Sequence, residues 1–510
     1  MNIISQFEGY VLIALFAVLM IALTVVVSRD KRWKQTGVGF LVAGREVSWK
    51  IGAPSIAASW IWAPALFVSV QKAYELGLPG IFWFTFPNIL ALVIFAFLAP
   101  KIRNKIPGGY TLPDWIHYRL NNETLHKVYL IPYIWYQIMA ITVQIFVGGM
   151  MLNFLTGIPL NIVMGLLLVI GLAYSLISGL HASIFTDFVQ MAFIIIGGLI
   201  ILPWVVSAAG PGAIEKGLGG LANKTNIFDP GVAFSFGIVT SIGLIAGAIS
   251  DQQYWQRSFA IKRKDLVPSF VFGGILFGIV PIALSLLGFL GANPELGISL
   301  PEGTGLPMIG VATVSKLLPT WASIFFVIML LAGLCSTLDS GLCAASSLYS
   351  IDLAKLTEAE REILRKERIG ENITKEESKI KGELDRKTMG RARIAMFGIA
   401  IIGLVVAFIV QHLFSLDRLW WIFNGVASCF VVPTILSIYY KKLSSRGVLF
   451  GISGSLIGMV FFVYGNWIQN DLITVFSAIF IVVINLFFCF LFREKMSKKL
   501  VSSCDINNNC

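Results

Sequence analysis

The sequence predicts an all-α integral membrane protein with about thirteen transmembrane helices, and three observations carry that reading. The 510 residues are 56% hydrophobic and 13% charged, whereas an average soluble domain is roughly a quarter charged. Apolar runs repeatedly reach the ~20 residues that a helix needs to cross about 30 Å of hydrocarbon. The short alternating strands of an outer-membrane barrel are not found. Finally, Lys and Arg gather in alternate loops, as the membrane-orientation rule requires.

The apolar segments fall at about 9–28, 51–73, 78–99, 128–155, 158–178, 184–208, 232–256, 267–291, 320–351, 392–411, 416–440, 447–466 and 471–492. The first is expected to stay as an anchor, because residues 1–8 carry no Lys or Arg and no small-residue cleavage site follows. Loops 29–50, 100–127, 257–266, 353–393 and 441–446 and the tail hold 34 of the 39 basic residues. With thirteen crossings these all lie on one side, which predicts an external N-terminus and a cytoplasmic C-terminus in the plasma (cytoplasmic) membrane. The net charge of +11 is therefore assigned to loop topology, not to nucleic-acid binding. Six cysteines and four histidines show neither disulfide spacing nor a ligand pair, so no transition-metal site is expected. Residues 353–390 are dense in both charge signs. Thr357–Glu360 and Thr374–Glu377 there read as capping boxes separated by Gly370, predicting two short solvated helices. A regulatory contact is the alternative to a plain charged hairpin.

Charges at bilayer depth cost several kcal/mol and mark functional candidates; Asp187, Asp251 and Asp339 are such residues. Asp187 follows Thr186 at the expected start of the sixth helix, where it reads equally as an N-cap or as a cation-handling group. Ala332–Ser340 packs small and hydroxylated residues into one helix. Such hydroxyls ordinarily bond back to the preceding turn, and that alternative stands beside a functional one. A second irregular stretch, Gly52-Ala53-Pro54-Ser55-Ile56-Ala57-Ala58-Ser59 with Pro64 beyond, tips the balance. Carbonyls freed by Pro and Gly inside a span need a buried use, and with nearby hydroxyls they form an oxygen cage for Na⁺. The seventh segment carries a comparable weakness at Gly243–Gly247, five helices later, where an inverted five-helix repeat would put its second broken member. Close helix packing explains that glycine spacing equally well.

Several motifs resemble those of the sodium:solute symporter family: Phe40-Leu41-Val42-Ala43-Gly44-Arg45; Thr111-Leu112-Pro113-Asp114 with Tyr118-Arg119; Gly179-Leu180-His181-Ala182 with Thr186-Asp187-Phe188-Val189-Gln190; Asp251-Gln252 with Gln256-Arg257; and Ser336-Thr337-Leu338-Asp339-Ser340 with Ser346-Ser347 and Asp352. They occur in the family's order along nearly the whole chain. The resemblance implies a leucine-transporter-like fold, a 5+5 inverted-repeat core (about 50–208 and 232–440) with one helix before and two after. It also implies a sodium site formed by the carbonyls of Ala57, Trp60 and Gly333 and the hydroxyls of Ser336 and Thr337, with Asp187 on the ion path. Solute contacts are expected at Ser59, Trp62, Gln252 and Gln253. Ser59 stands where the sugar-transporting branch has asparagine, and the stretches Trp60–Ala63 and Asp251–Arg257 look more like the urea-transporting branch. The implied function is sodium-coupled import of urea, an amino acid or a small carboxylate. A membrane-embedded sensor of the same fold is the alternative; an enzyme or a channel finds no supporting constellation.

Overall fold

The computed structural model describes residues 4–28 and 36–494. Cys504, Cys510, residues 29–35 of the first basic loop and all of the tail beyond Glu494 lie outside the described residues. Among those described, helices dominate, and the β-structure recorded is one isolated bridge between Val47 and Ile261. Twelve helices are long and apolar enough to cross a membrane, and one bent pair makes a thirteenth span.

In chain order the elements are α1 (Gln6–Ser28), the bent pair α2 (Trp49–Trp60) and α3 (Pro64–Leu76), and α4 (Leu78–Lys105). A short, half-buried helix α5 (Leu112–Leu120) precedes α6 (Glu123–Thr156), α7 (Leu160–Ser178) and α8 (Leu180–Ala209). Next come α9 (Pro230–Ser250), α10 (Gln252–Ala260), α11 (Leu266–Ala292) and α12 (Thr320–Leu348). The remainder is α13 (Glu358–Ile369), α14 (Lys375–Val410), α15 (Leu416–Tyr439), α16 (Ser445–Trp467) and α17 (Asp471–Leu491). In α6, 83% of the apolar window is buried, against 33% in α1. The first is interior and the second presents most of its surface outward, where a lipid-facing helix needs apolar side chains.

Both helix breaks differ from their expected positions. Gly52–Ser59 is regular helix; α2 ends at Trp60 and the chain turns by 72° into α3. Pro64 supplies the reason, since it has no N–H to give the Trp60 carbonyl four residues earlier. The second break is at Asp251, whose extended backbone (φ −95°, ψ 117°) separates α9 from α10. Gly243 and Gly247 remain helical and serve close packing: a Cβ on Gly247 would lie 2.5 Å from the Tyr136 hydroxyl and 2.6 Å from Asn424 Oδ1.

The charged loop also departs from two short helices. Both capping boxes form, and Gly370 ends α13 in the left-handed region (φ 80°). The second helix, however, continues without interruption into the membrane as the 36-residue α14. The first packs back on the bundle. Arg368 donates to Asp114, Tyr110 donates to Glu367 (3.0 Å), and Gly108 N–H donates to the Arg368 carbonyl (2.9 Å). Burial outweighs the Arg368 charge and pushes the Asp114 carboxyl up to about 6.

Candidate functional site

Three elements meet at the first break. The Gly333–Ser340 face of α12 lies against the end of α2, and α8 closes the site from the side. Gly333 permits the approach, because a Cβ there would stand 2.9 Å from Leu66 and 3.4 Å from Ile61. Thr337 donates its hydroxyl to the carbonyls of Ile61 (3.2 Å) and Ser59 (3.4 Å). These carbonyls belong to the interrupted turn, so the break is read directly by a side chain of α12. The Ala57 carbonyl accepts the Ile61 N–H at 3.0 Å, while that of Trp60 has lost its helical donor to Pro64.

Asp187 lies beside this cluster and is fully buried. It is the eighth residue of α8, whose N-cap is Gly179, so the N-cap reading does not hold. Its Oδ1 accepts from Ser336 (2.5 Å), and its Oδ2 accepts from Ser55 (2.6 Å) and from the Arg257 guanidinium (2.7 Å). Arg257 also donates to Ser55 (3.0 Å) and Ser340 (2.6 Å). It therefore sits inside the bundle, not in the basic loop to which its sequence position assigned it. Asp339 is held separately by the hydroxyls of Ser183 (3.1 Å) and Ser340 (3.3 Å). A carboxylate, a counter-ion and a ring of hydroxyls satisfy one another where water is excluded. Each hydroxyl can instead turn a lone pair toward a small hard cation. Four helices, α2, α8, α10 and α12, are thereby tied at one point.

The break also borders an aromatic cavity. Trp60, Trp62, Phe84, Tyr136, Trp420 and Phe423 line it together with Asn88 and Asn424, and no lining side chain carries a formal charge. The Trp62 ring stacks on Phe423 with centroids 5.5 Å apart and meets Tyr136 edge-on at 5.2 Å. The cavity holds about 20 Å³, room for little more than one water. Among the described residues, the indole N–H groups of Trp60 and Trp62 and the amide nitrogen of Gln144, which lies outside the cavity lining, have no hydrogen-bond partner.

The residues expected from sequence separate into groups. Ser336, Thr337, Gly333, Trp60 and Ala57 gather at the break beside Asp187. Trp62 lines the aromatic cavity. Ser59 belongs instead to the hydroxyl cluster, donating to the Ser55 carbonyl (2.7 Å) and meeting Ser340 at 3.2 Å. Gln252 binds the Tyr110 carbonyl (2.9 Å) and Ser347 (3.1 Å), and Gln253 meets Gln137 at 3.4 Å. Neither lines the cavity. Sequence reasoning missed Tyr136, Phe423, Asn88 and Asn424, which carry no local motif. It also missed the inward course of Arg257, although the flanking Tyr-Trp-Gln and Ser-Phe-Ala were a usable apolar signal.

The family model described as "Sodium:solute symporter family" matches residues 40–458. A probable urea active transporter of Schizosaccharomyces pombe is 22% identical over 87% of this chain and 68% of its own length. A urea-proton symporter of Oryza sativa is 22% identical over 90% of this chain and 65% of its own. A sodium/glucose cotransporter of Vibrio parahaemolyticus is 24% identical over 88% and 84%. The chain thus spans about two thirds of the length of the two urea transporters. Among solved structures, a Na⁺-coupled sialic acid symporter in an outward-open state superposes with a TM-score of 0.73 at 15% identity, covering 96% of this chain and 99% of that one. The leucine-transporter-like, all-helical fold expected from sequence is therefore the fold observed.

Proposed function

Because the chain belongs to the sodium:solute symporter family, we propose that it is a sodium-coupled symporter importing urea by alternating access. One observation carries the reading: a charge-free aromatic cavity and a carboxylate–hydroxyl cluster border the same helix break. An amino acid or a carboxylate would bring a charge that the cavity lining cannot pair, and desolvating it would cost several kcal/mol. Urea is small, planar and neutral. Its carbonyl suits the unpartnered indole N–H groups of Trp60 and Trp62, and its faces suit the stacked rings. The two relatives named for urea favour the same solute.

Sodium is assigned to the carbonyls of Ala57, Trp60 and Gly333 and the hydroxyls of Ser336 and Thr337, with Asp187 drawing it along the exit path. Its charge holds the end of α2 against α12 and so fixes the wall of the solute cavity, which is how ion and solute sense each other. The N-terminus is placed outside and the basic loops in the cytoplasm, so the membrane potential drives sodium inward. At 100 mV it contributes about 2.3 kcal/mol per charge, which supports roughly fifty-fold accumulation for one sodium. Because one relative is named for proton coupling, the deciding experiment separates the ions. Proteoliposomes with an inward sodium gradient and equal pH on both sides should accumulate radiolabelled urea, and collapsing the gradient should abolish accumulation. Accumulation that needs only a pH gradient, or none at all, contradicts the assignment.

A further inference from the structure

The second helix break holds a carboxylate that the sodium pathway does not use. Asp251 is fully buried between α9 and α10. Its Oδ1 caps α10 by accepting the Gln253 N–H at 2.9 Å, and it also accepts from the Gln137 amide of α6 at 3.1 Å. Among the described residues its Oδ2 is buried with no hydrogen-bond partner, and so is Oε1 of the neighbouring Gln253. A bare carboxylate oxygen in a water-free interior is unfavourable by several kcal/mol unless it carries a proton or meets a cation. The groups near enough to feel its charge are Tyr133 and Tyr136 of α6, with Tyr254 and Arg257 of α10. Arg257, the cation among them, is spent on Asp187 and Ser340. Asp187 and Asp339 each have donors on both oxygens; Asp251 does not.

We propose that Asp251 is a proton-binding site of the transport cycle, separate from the sodium cluster, carrying its proton on Oδ2. A proton from water adds to the carboxylate to give the neutral acid, and it departs to water when the site opens to the other face; no other bond changes. The orphaned Gln253 Oε1 is a nearby acceptor for the new O–H. Asp251 joins the two halves of a broken helix and is bonded to α6, whose Tyr136 lines the solute cavity. Its charge state therefore acts on the same helix contacts that shape that cavity.

The competing reading, an N-cap and nothing more, is separable because asparagine caps as well as aspartate. Infrared difference spectra of the purified wild type in liposomes at neutral pH should contain the carbonyl stretch of a protonated carboxylic acid, shifted by deuterium. Asp251→Asn should remove that band. A wild-type spectrum unchanged by Asp251→Asn would overturn the proposal. Should that variant fail to fold, Gln137→Met tests the same point. Deleting a donor to the ionised form must raise the pH at which the band titrates, and an unmoved titration contradicts the proposal. The transport arm alone rests on the urea reading. With the sodium gradient fixed, an inward proton gradient should accelerate urea uptake in wild type, and Asp251→Asn should lose that acceleration while keeping sodium-driven uptake. Wild-type uptake indifferent to the proton gradient counts against Asp251 as part of the cycle. Absence of any wild-type urea uptake defeats the solute reading and leaves the infrared result to decide Asp251.

Discussion

Two Asp–Arg ion pairs of this protein are opposites in setting. Asp187–Arg257 lies inside the bundle, with side-chain exposures of 0% and 1%, and gathers hydroxyls from two helices around it. Asp114–Arg368 lies at the edge, with exposures of 7% and 20%, and pins α13 onto the bundle. Burial of an ion pair is poor evidence for stability, because desolvation consumes most of the Coulomb gain. A pair kept in such a position, at the meeting point of four helices, suits an exchangeable charge: a second cation can take part of the carboxylate from the guanidinium. The edge pair has water within reach and is suited to fastening a helix.

The largest expected effect follows from breaking the inner pair. Arg257→Met leaves Asp187 charged, buried and uncompensated, which costs about 3–5 kcal/mol. Thermal unfolding of this variant should be strongly sodium-dependent, since the ion replaces the lost charge, and the sodium-induced rise in Tm should exceed that of wild type. Equal rises would mean that the guanidinium and the ion do not share the carboxylate.

Next in size is the double substitution Ser336→Ala with Thr337→Ala. Each lost oxygen weakens the ion's coordination by about 1 kcal/mol, so the sodium concentration for half-maximal uptake should rise at least tenfold. If both hydroxyls only tie α12 to Asp187 and to the interrupted turn, sodium dependence stays where it was. Trp62→Ala should act on the solute side alone, raising the KM for urea severalfold through loss of the stacked ring while sodium-induced thermal stabilisation persists. Loss of both would place Trp62 in the ion site.

The effect at the edge is confined to one pH window. The Asp114 carboxyl is raised from 3.8 to about 6, so the folded protein holds a proton that the unfolded chain has released. Its contribution to stability is present below about pH 4 and is lost as the pH rises through about 6. At about 1.4 kcal/mol per unit the change amounts to at most about 3 kcal/mol. Asp114→Asn should flatten the pH dependence of Tm across that window and leave sodium affinity unchanged. A Tm profile identical to wild type would show that the edge pair does not titrate there.

The difference between the two pairs also marks what the sequence could convey. Helix number and the hydroxyl-bearing face of α12 were legible because hydropathy and local motifs write them into consecutive residues. Asp187 was singled out by its charge in an apolar run, but its partner was not. Arg257 sits next to a basic loop, and nothing local says that its side chain turns inward to Ser55 and Asp187. The first break was placed too early because Gly52 and Pro54 look disruptive, whereas the decisive residue is Pro64, through the carbonyl it leaves unpaired. The aromatic cavity was nearly invisible. Tyr136, Phe423 and Asn424 come from segments that only the folded bundle brings together, and an aromatic residue in a membrane helix gives no sign of which way it faces.

Equilibrium binding of radioactive sodium to the purified wild type and to Asp187→Asn tests the account's centre most directly. Asparagine preserves the shape of Asp187 and keeps one acceptor oxygen, for Ser336 or for Ser55, while it removes the charge and turns the other oxygen into an amide donor. Saturable binding is expected in wild type, with a large loss of affinity in the folded, well-expressed variant. Undiminished binding in Asp187→Asn would contradict this expectation, leaving Asp187 as Arg257's structural partner and the sodium route elsewhere.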